Sequence, residues 1–458
     1  MKPAEPRNRR CLAIVLAAGE GKRMRSNRPK IVHEIAGRSL LGHVLAAVQA
    51  AGSTQIAVVV APGRDEIAKE VHRHVPAADI FIQAQARGTA HAVLAAREAI
   101  AAGYDDILVA FADTPLVRGE TFAALRTRLA GSVGEEAPPA VVALGFEARD
   151  PTGYGRLIME GQDLIAIREH KDLPPEDHGL SFCNAGLMAF AGDHCLQLLD
   201  GIGTANAQNE YYLTDAIAGA RTQGLTVAAL RAPESEVLGV NDRLQLAAAE
   251  AILQQRLREA AMRAGASLVD PSSVHLSFDT ELGQDVTVEP HVYFGPGVKV
   301  ADGARIRGFS HLEGAIVGPN AIVGPFARLR PGTILAEDVH VGNFVEVKAS
   351  SLGAGVKANH LAYLGDAKIG ARTNIGAGAI TCNYNGFSKF PTEIGEACFI
   401  GVNAALVAPV TIGAGAYIGT GSVITQDVAA EALALARARQ TEKPGWAKRF
   451  REKNQGKK

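Results

Sequence analysis

The chain has 458 residues, 47% of them hydrophobic and 21% charged, with a formal net charge of −1. That length accommodates two large domains or about three ordinary ones, and the balance suits a chain that buries apolar cores. The near-zero charge argues against a nucleic-acid or membrane-surface binder and leaves electrostatic steering to local patches. Five cysteines (Cys11, Cys183, Cys195, Cys382, Cys398) are scattered with no CxxC pair. This argues against a disulfide framework or structural zinc and fits a reducing cytoplasm.

The amino terminus can be read two ways. The basic cluster Arg7-Asn8-Arg9-Arg10 ahead of the apolar run Cys11–Ala18 has the layout of a secretory signal. The alternative is a first β-strand feeding a glycine-containing loop. The strand is preferred, because cleavage would destroy the phosphate-binding pattern that follows. No other run is long and apolar enough to span a membrane.

Residues 11 to about 242 alternate between two rhythms. Leu12–Leu16, Gln55–Val60, Asp106–Phe111 and Ala140–Gly145 are short apolar runs with β-branched content, and helical stretches such as Leu41–Ala51 and Ala90–Ala102 lie between them. The alternation predicts a mostly parallel α/β sheet with helices on both faces, binding ligands beyond the carboxyl ends of its strands. Asp242–Ala264 has neither Gly nor Pro and reads as one connecting helix. The predicted organisation is therefore 1–242, a linker helix at 243–264, and 265–458.

After about residue 265 the period becomes six. Val288, Phe294, Val300, Ile306 and Leu312 form one train, Val317, Val323, Leu329, Leu335, Val341 and Val347 a second, and Ile394, Ile400, Leu406, Ile412, Ile418 and Ile424 a third. Six aliphatic hits in one frame has a chance probability on the order of 10⁻⁴, so the pattern is structural. Neither helix nor ordinary strand repeats every six residues. A coil of short strands does, with each aliphatic side chain stacked on its counterparts above and below. Thr381–Pro391 breaks the period, and a loop leaving a solenoid is a usual place for function.

The first strand runs into Leu16-Ala17-Ala18-Gly19-Glu20-Gly21-Lys22-Arg23-Met24, with Pro29-Lys30 beyond. Glycines let backbone N–H groups approach phosphate oxygens, and Arg23 and Lys30 can neutralise them. The spacing is not that of a P-loop, and a solvated Gly-rich turn would look the same in isolation. The motif resembles the signature of sugar-1-phosphate nucleotidyltransferases, and later segments match that family in order. Gln83 with Gly88-Thr89 resembles its uracil-reading segment. The resemblance makes Asp113 and Asn241 ligands of Mg²⁺, and Gly155, Glu169, Asn184, Tyr212 and Thr214 the sugar-contacting set. It implies in-line attack of a sugar phosphate on the α-phosphorus of UTP with release of pyrophosphate. One departure stands out: the family commonly carries Tyr-Gly before the metal Asp, where this chain has Phe111-Ala112.

The period-six segment resembles the hexapeptide-repeat left-handed β-helix of many acyltransferases. Arg330 and Lys348, 18 apart, are expected to share a face and form a phosphate socket. Phe326–Pro331, Gly342-Asn343-Phe344-Val345-Glu346, His360–Asp366 and Cys382-Asn383-Tyr384-Asn385 match the acetyltransferase half of a two-activity family that makes UDP-N-acetylglucosamine for peptidoglycan and lipopolysaccharide. That resemblance covers nearly the whole chain. It implies His360 as general base toward the amine of glucosamine 1-phosphate, since histidine titrates in the right range, and Glu346 as its orienter. Arg330, Lys348, Tyr363 and Asn374 would hold the sugar phosphate. Asn383, Tyr384, Val402, Thr420 and Arg437 would face acetyl-CoA, with Val402 standing where relatives often have Ser. The resemblance also implies a side-by-side homotrimer, and Lys448–Lys458 reads as a solvated basic tail. Two other readings remain: a nucleotidyltransferase whose β-helix only regulates or oligomerises, and a non-catalytic scaffold.

Overall fold

The computed structural model describes residues 9–19, 21–131 and 137–455. Arg7 and Asn8 of the basic cluster, Glu20 of the glycine loop and residues 456–458 of the tail lie outside the described residues. The chain divides into two compact units, Met1–Gln254 and Gln255–Lys458.

In the first unit every residue of the strand Cys11–Leu16 is buried, which is why it reads as a continuous apolar run. Alternate side chains feed opposite faces. Cys11, Ala13 and Val15 enter one core, and Leu12, Ile14 and Leu16 the other. The sheet runs Val227–Arg231, Val141–Glu147, Phe182–Ala191, Asp106–Phe111, Cys11–Leu16, Gln55–Val60, Asp79–Ile82. Pairing from Asp106–Phe111 to Asp79–Ile82 is parallel, whereas Phe182–Ala191 is antiparallel to both neighbours. Neither that strand nor the hairpin Arg156–Glu160/Asp163–Arg168 beside it is among the sequence expectations. Leu16 is in register with Phe111 and with Val59. Neighbouring carboxyl ends therefore lie side by side and lead into Ala17–Gly19, Ala112-Asp113 and, after Ile82, Gln83.

The expected helix over Ala90–Ala102 is two helices, Thr89–Leu94 and Arg97–Ala101. Ala96 leaves helical geometry (φ −93°, ψ 24°) where its methyl is fully buried. Packing there outweighs the high helix propensity of alanine.

A single helix, Arg243–Arg263, spans the division between the units. Leu246, Ala249, Ile252 and Leu253 pack with Ile35, Leu40, Leu116 and Val240 in the first unit. Leu257 and Ala261 pack on the second unit's core.

That core belongs to a left-handed parallel β-helix of three sheets with ten, eight and eight strands. Every residue of the three aliphatic trains is buried. The apparent frame slips have a simple cause. His311 pairs with Arg328, seventeen residues on, and Arg328 with Glu346, eighteen on, so some coils have one side a residue short. His291, Phe309, Phe326, Phe344 and Leu361 turn the same corner of successive coils with φ between 51° and 60°, a conformation that costs a non-glycine residue about 1 kcal/mol or more. The period breaks after the strand Ile380–Cys382, where Tyr384 bridges Lys389 across an excursion before Thr392 resumes the sheet.

Candidate active sites

In the first unit two cavities meet beyond the carboxyl ends of the strands. One, of about 260 Å³, is lined by Leu16, Ala17, Ala18, Gly19, Lys30, Gln83, Gly88 and Thr89. These are the residues expected to hold the nucleotide. The other, of about 350 Å³, is lined by Gly155, Glu169, Asn184 and Thr214 of the expected sugar set, by the expected metal ligand Asn241, and by Tyr154 and Met188. Asp113 borders both. Arg23 is exposed and lines neither cavity, and Tyr212 is buried beside the sugar set.

Several of these residues owe their positions to local constraints. Gly88 has φ +113°, and a Cβ there would lie 2.5 Å from the backbone oxygen of Tyr211, so only glycine fits. The Gln83 amide nitrogen donates to the Gly88 carbonyl at 3.2 Å and faces His91 Nδ1 at 3.2 Å. Gln83 Oε1 is left as the group available to a base. The Thr214 hydroxyl donates to Glu169 Oε1 at 3.1 Å. Burial nevertheless raises the Glu169 pKa, with Asp215 and Asp172 adding to the effect. Burial also raises Tyr212, again with Asp172 and Glu169 adding.

Lys30 Nζ lies 2.5 Å from Asp113 Oδ2 and 3.0 Å from Asn241 Oδ1. A lysine ammonium thus occupies the point on which the two expected metal ligands converge. Two hard oxygen donors beside a phosphate cavity suit Mg²⁺, which keeps several waters and shares its shell with substrate phosphates. The donor set therefore fits that ion, with the ammonium standing in for it.

In the β-helix, Lys348 is in register with Gly365, and Arg330, one residue past the Leu329–Val347 pair, donates its backbone N–H to Val347 O at 2.9 Å, which brings Arg330, Lys348 and Gly365 into one column on successive coils. A Cβ at Gly365 would meet the Tyr363 hydroxyl and the Asn383 amide, so Tyr363 and Asn383 fold over this column. Each cation has a carboxylate partner: Arg330 bonds Glu346 at 2.9 Å and Lys348 lies 3.7 Å from Asp366. Asn383 also donates to Asp366. The sequence reading missed Lys389, whose one signal was its place in the period-breaking loop. It faces Lys348, and that ammonium holds the Lys389 pKa below its ordinary value. Asn374 lies on a different sheet, paired with Lys357 and Phe399, away from the Arg330 column within one chain. Tyr384, Val402, Thr420 and Arg437 are exposed.

His360 is exposed at a strand end. Within the chain, His360 does not pair with Glu346, the residue expected to orient it. His360 Nδ1 lies 2.8 Å from Asn343 Oδ1, its neighbour in register on the preceding coil. Glu346 instead pairs with Arg330 and, at 3.7 Å, with Arg328. The physical reason is the face each residue occupies. Glu346 and His360 belong to different sheets, with a corner at Leu361 between them. An amide oxygen can only accept, so Asn343 favours, of the two neutral tautomers, the one with the proton on Nδ1, in which Nε2 is the acceptor.

The fold and these two sites define a two-domain transferase, an α/β nucleotidyl-transferring unit joined to an acyl-transferring β-helix. A family model described as the MobA-like NTP transferase domain matches residues 13–174, and one described as bacterial transferase hexapeptide (six repeats) matches residues 391–426. Over 444 residues the chain is 59% identical to the bifunctional protein GlmU of Xanthobacter autotrophicus, an alignment covering 97% of this chain and 98% of that protein. Identity is 57% to the same protein of Azorhizobium caulinodans and 48% to that of Bartonella quintana, with the same coverage. The chain belongs to the GlmU family of bifunctional enzymes.

Proposed function

We propose that the chain makes UDP-N-acetylglucosamine in two steps. The β-helix acetylates glucosamine 1-phosphate from acetyl-CoA, and the α/β unit couples the product to UTP, releasing pyrophosphate. The observation that carries this reading is the convergence of Asp113 and Asn241 on one cationic point where two cavities meet, one lined by each expected ligand set.

In the acetyl step, Arg330, Lys348 and Tyr363 anchor the sugar phosphate, and Lys389 adds a further cation. His360 Nε2 takes the proton from the attacking nitrogen, which then bonds the thioester carbonyl carbon. The carbon–sulfur bond breaks and coenzyme A leaves. Asn343 holds the imidazole in the required tautomer. Asn383 and Tyr384 line the carbonyl, and Val402, Thr420 and Arg437 face coenzyme A. Asn374 lies apart from the Arg330 column and joins the site from a neighbouring subunit.

In the uridylyl step, the backbone of Leu16–Gly19 with Lys30 cradles the triphosphate, Gln83 reads the base, and Glu169, Asn184 and Thr214 orient the sugar phosphate for in-line attack. Mg²⁺ held by Asp113 and Asn241 would supply charge neutralisation on the phosphates.

A homotrimer is part of the proposal. It is supported by an exposed column of His291, Phe309, Phe326 and Phe344, with ring centroids 4.9, 5.0 and 5.3 Å apart, continued by Leu361. Such a ridge suits burial against another copy. Residence in the cytoplasm accords with five free cysteines. Among the described residues no helix is long and apolar enough to cross a membrane.

The test is to assay the two steps separately, coenzyme A release from acetyl-CoA and glucosamine 1-phosphate, and pyrophosphate release from UTP and N-acetylglucosamine 1-phosphate. His360→Ala should lower acetyl transfer by roughly 10²–10⁴-fold and spare uridylyl transfer. Lys30→Ala should do the reverse. Equal loss of both activities in either variant would refute the assignment of separate sites.

A further inference from the structure

Among the described residues, the nucleotide and sugar cavities share three lining residues, Thr89, Phe111 and Asp113. The Thr89 hydroxyl accepts a hydrogen bond from Leu213 N at 2.9 Å, and Asp113 is held by Lys30. Among the described residues, Phe111 is therefore the one apolar side chain common to both cavities. Its ring is seated by two features. Gly186 faces it with no side chain, and a Cβ there would lie 3.0 Å from the ring at Cε2. Behind it, Ala112 N donates to Leu16 O at 3.0 Å, fixing the strand end that carries the ring. Phe111 itself is only partly buried, so one part of it faces the open junction.

We propose that Phe111 is a shielding residue that keeps water away from the α-phosphorus, so that the sugar phosphate is the nucleophile and UTP is not hydrolysed. The proposal rests on the nucleotide and sugar reading of the two cavities. In the productive reaction a sugar-phosphate oxygen bonds the α-phosphorus, and the bond from that phosphorus to the pyrophosphate oxygen breaks. In the side reaction a water oxygen forms the new bond, the same bond breaks, one proton is released, and the products are UMP and pyrophosphate. The two reactions share their leaving group and the charges that stabilise it. What separates them is which oxygen reaches the phosphorus, and a ring at the junction acts on that alone. Truncating Phe111 to Ala leaves room for about three waters at about 30 Å³ each, beside Asp113 and Lys30, which can order them.

The experiment uses the full chain with Mg²⁺, UTP and N-acetylglucosamine 1-phosphate, resolving UMP from nucleotide sugar by anion-exchange chromatography. Phe111→Ala should raise the ratio of UMP to nucleotide sugar about tenfold or more, and Phe111→Leu should raise it less. Acetyl transfer, measured in the same preparations, should stay at the wild-type rate. An unchanged ratio in both variants overturns the proposal. So does loss of both products in both variants, because a shield can be removed without stopping phosphoryl transfer. If the wild-type chain forms no nucleotide sugar, the failure lies with the reading of the cavities instead.

Discussion

Replacing Asn343 by Ala tests the imidazole geometry most directly. The structure assigns Asn343 one task, the 2.8 Å contact with His360 Nδ1. A hydrogen bond of this kind at an exposed site contributes about 0.5–1.5 kcal/mol net. Spent on keeping the proton on Nδ1, it corresponds to about two- to tenfold in kcat. Asn343→Ala should therefore lower acetyl-transfer kcat two- to tenfold, far less than His360→Ala, with little change in KM for acetyl-CoA. Glu346→Gln should behave differently. Its carboxylate holds Arg330, so the loss should appear as a higher KM for glucosamine 1-phosphate. Steady-state kinetics of coenzyme A release with each substrate varied in turn separates the two patterns. A hundredfold fall in kcat for Glu346→Gln beside a fully active Asn343→Ala would refute this reasoning and return the orienting role to the carboxylate.

Three further outcomes follow from the geometry. Gly88→Ala places a methyl against the Tyr211 backbone at a φ that alanine avoids. It should lower the melting temperature of the first unit by an amount equivalent to about 1–3 kcal/mol and abolish uridylyl transfer; a wild-type thermal scan would contradict it. Glu169 has a folded pKa raised above its ordinary 4.5, burial being the largest cause. The stability it contributes is fully present below that ordinary value and is lost as pH climbs through the folded value. Glu169→Gln should therefore be increasingly more stable than wild type as pH rises from about 4 in thermal scans, while uridylyl transfer falls; a gap that narrows with pH would contradict this sign. Ile400 is fully buried between Ile375 and Ile418 on the adjoining coils. Ile400→Ala should cost about 2–5 kcal/mol in urea unfolding of the second unit, and a change below about 1 kcal/mol would mean that the rungs do not carry the coil.

Period and composition made most of the fold legible. The aliphatic trains survive one-residue slips because each rung needs only an inward aliphatic at a corner-to-corner spacing, whether a side has five residues or six. Gln55–Val60 and Asp106–Phe111 form strands with the expected bounds, since buried parallel strands leave uninterrupted apolar runs. The break at Ala95-Ala96 was hidden because alanine is a good helix former wherever it is not otherwise constrained. Phe182–Ala191 is mixed in polarity, with Asn184 and Gly186 inside it, so no clean alternation marks it. At the sites, residue type named the groups but not their partners. Asn343 and Glu346 are three residues apart, and only the corner between their sheets decides which one meets His360. Lys389 was invisible for a related reason: a loop that leaves the period carries no register from which to place it.

The commitment of the Gln83 nitrogen to Gly88 and His91 decides what a pyrimidine would encounter at this wall. Only a carbonyl-type oxygen remains to meet it, so a ring with a proton on N3 is welcomed. Cytosine presents a lone pair there, and two acceptors would oppose each other without solvent between them. Thymine keeps the N3 proton and passes the same check, so any exclusion of dTTP must come from contacts to its methyl group or to the sugar. A nucleotide competition series of UTP, CTP and dTTP would thus divide the base-reading duty between one glutamine and its surroundings.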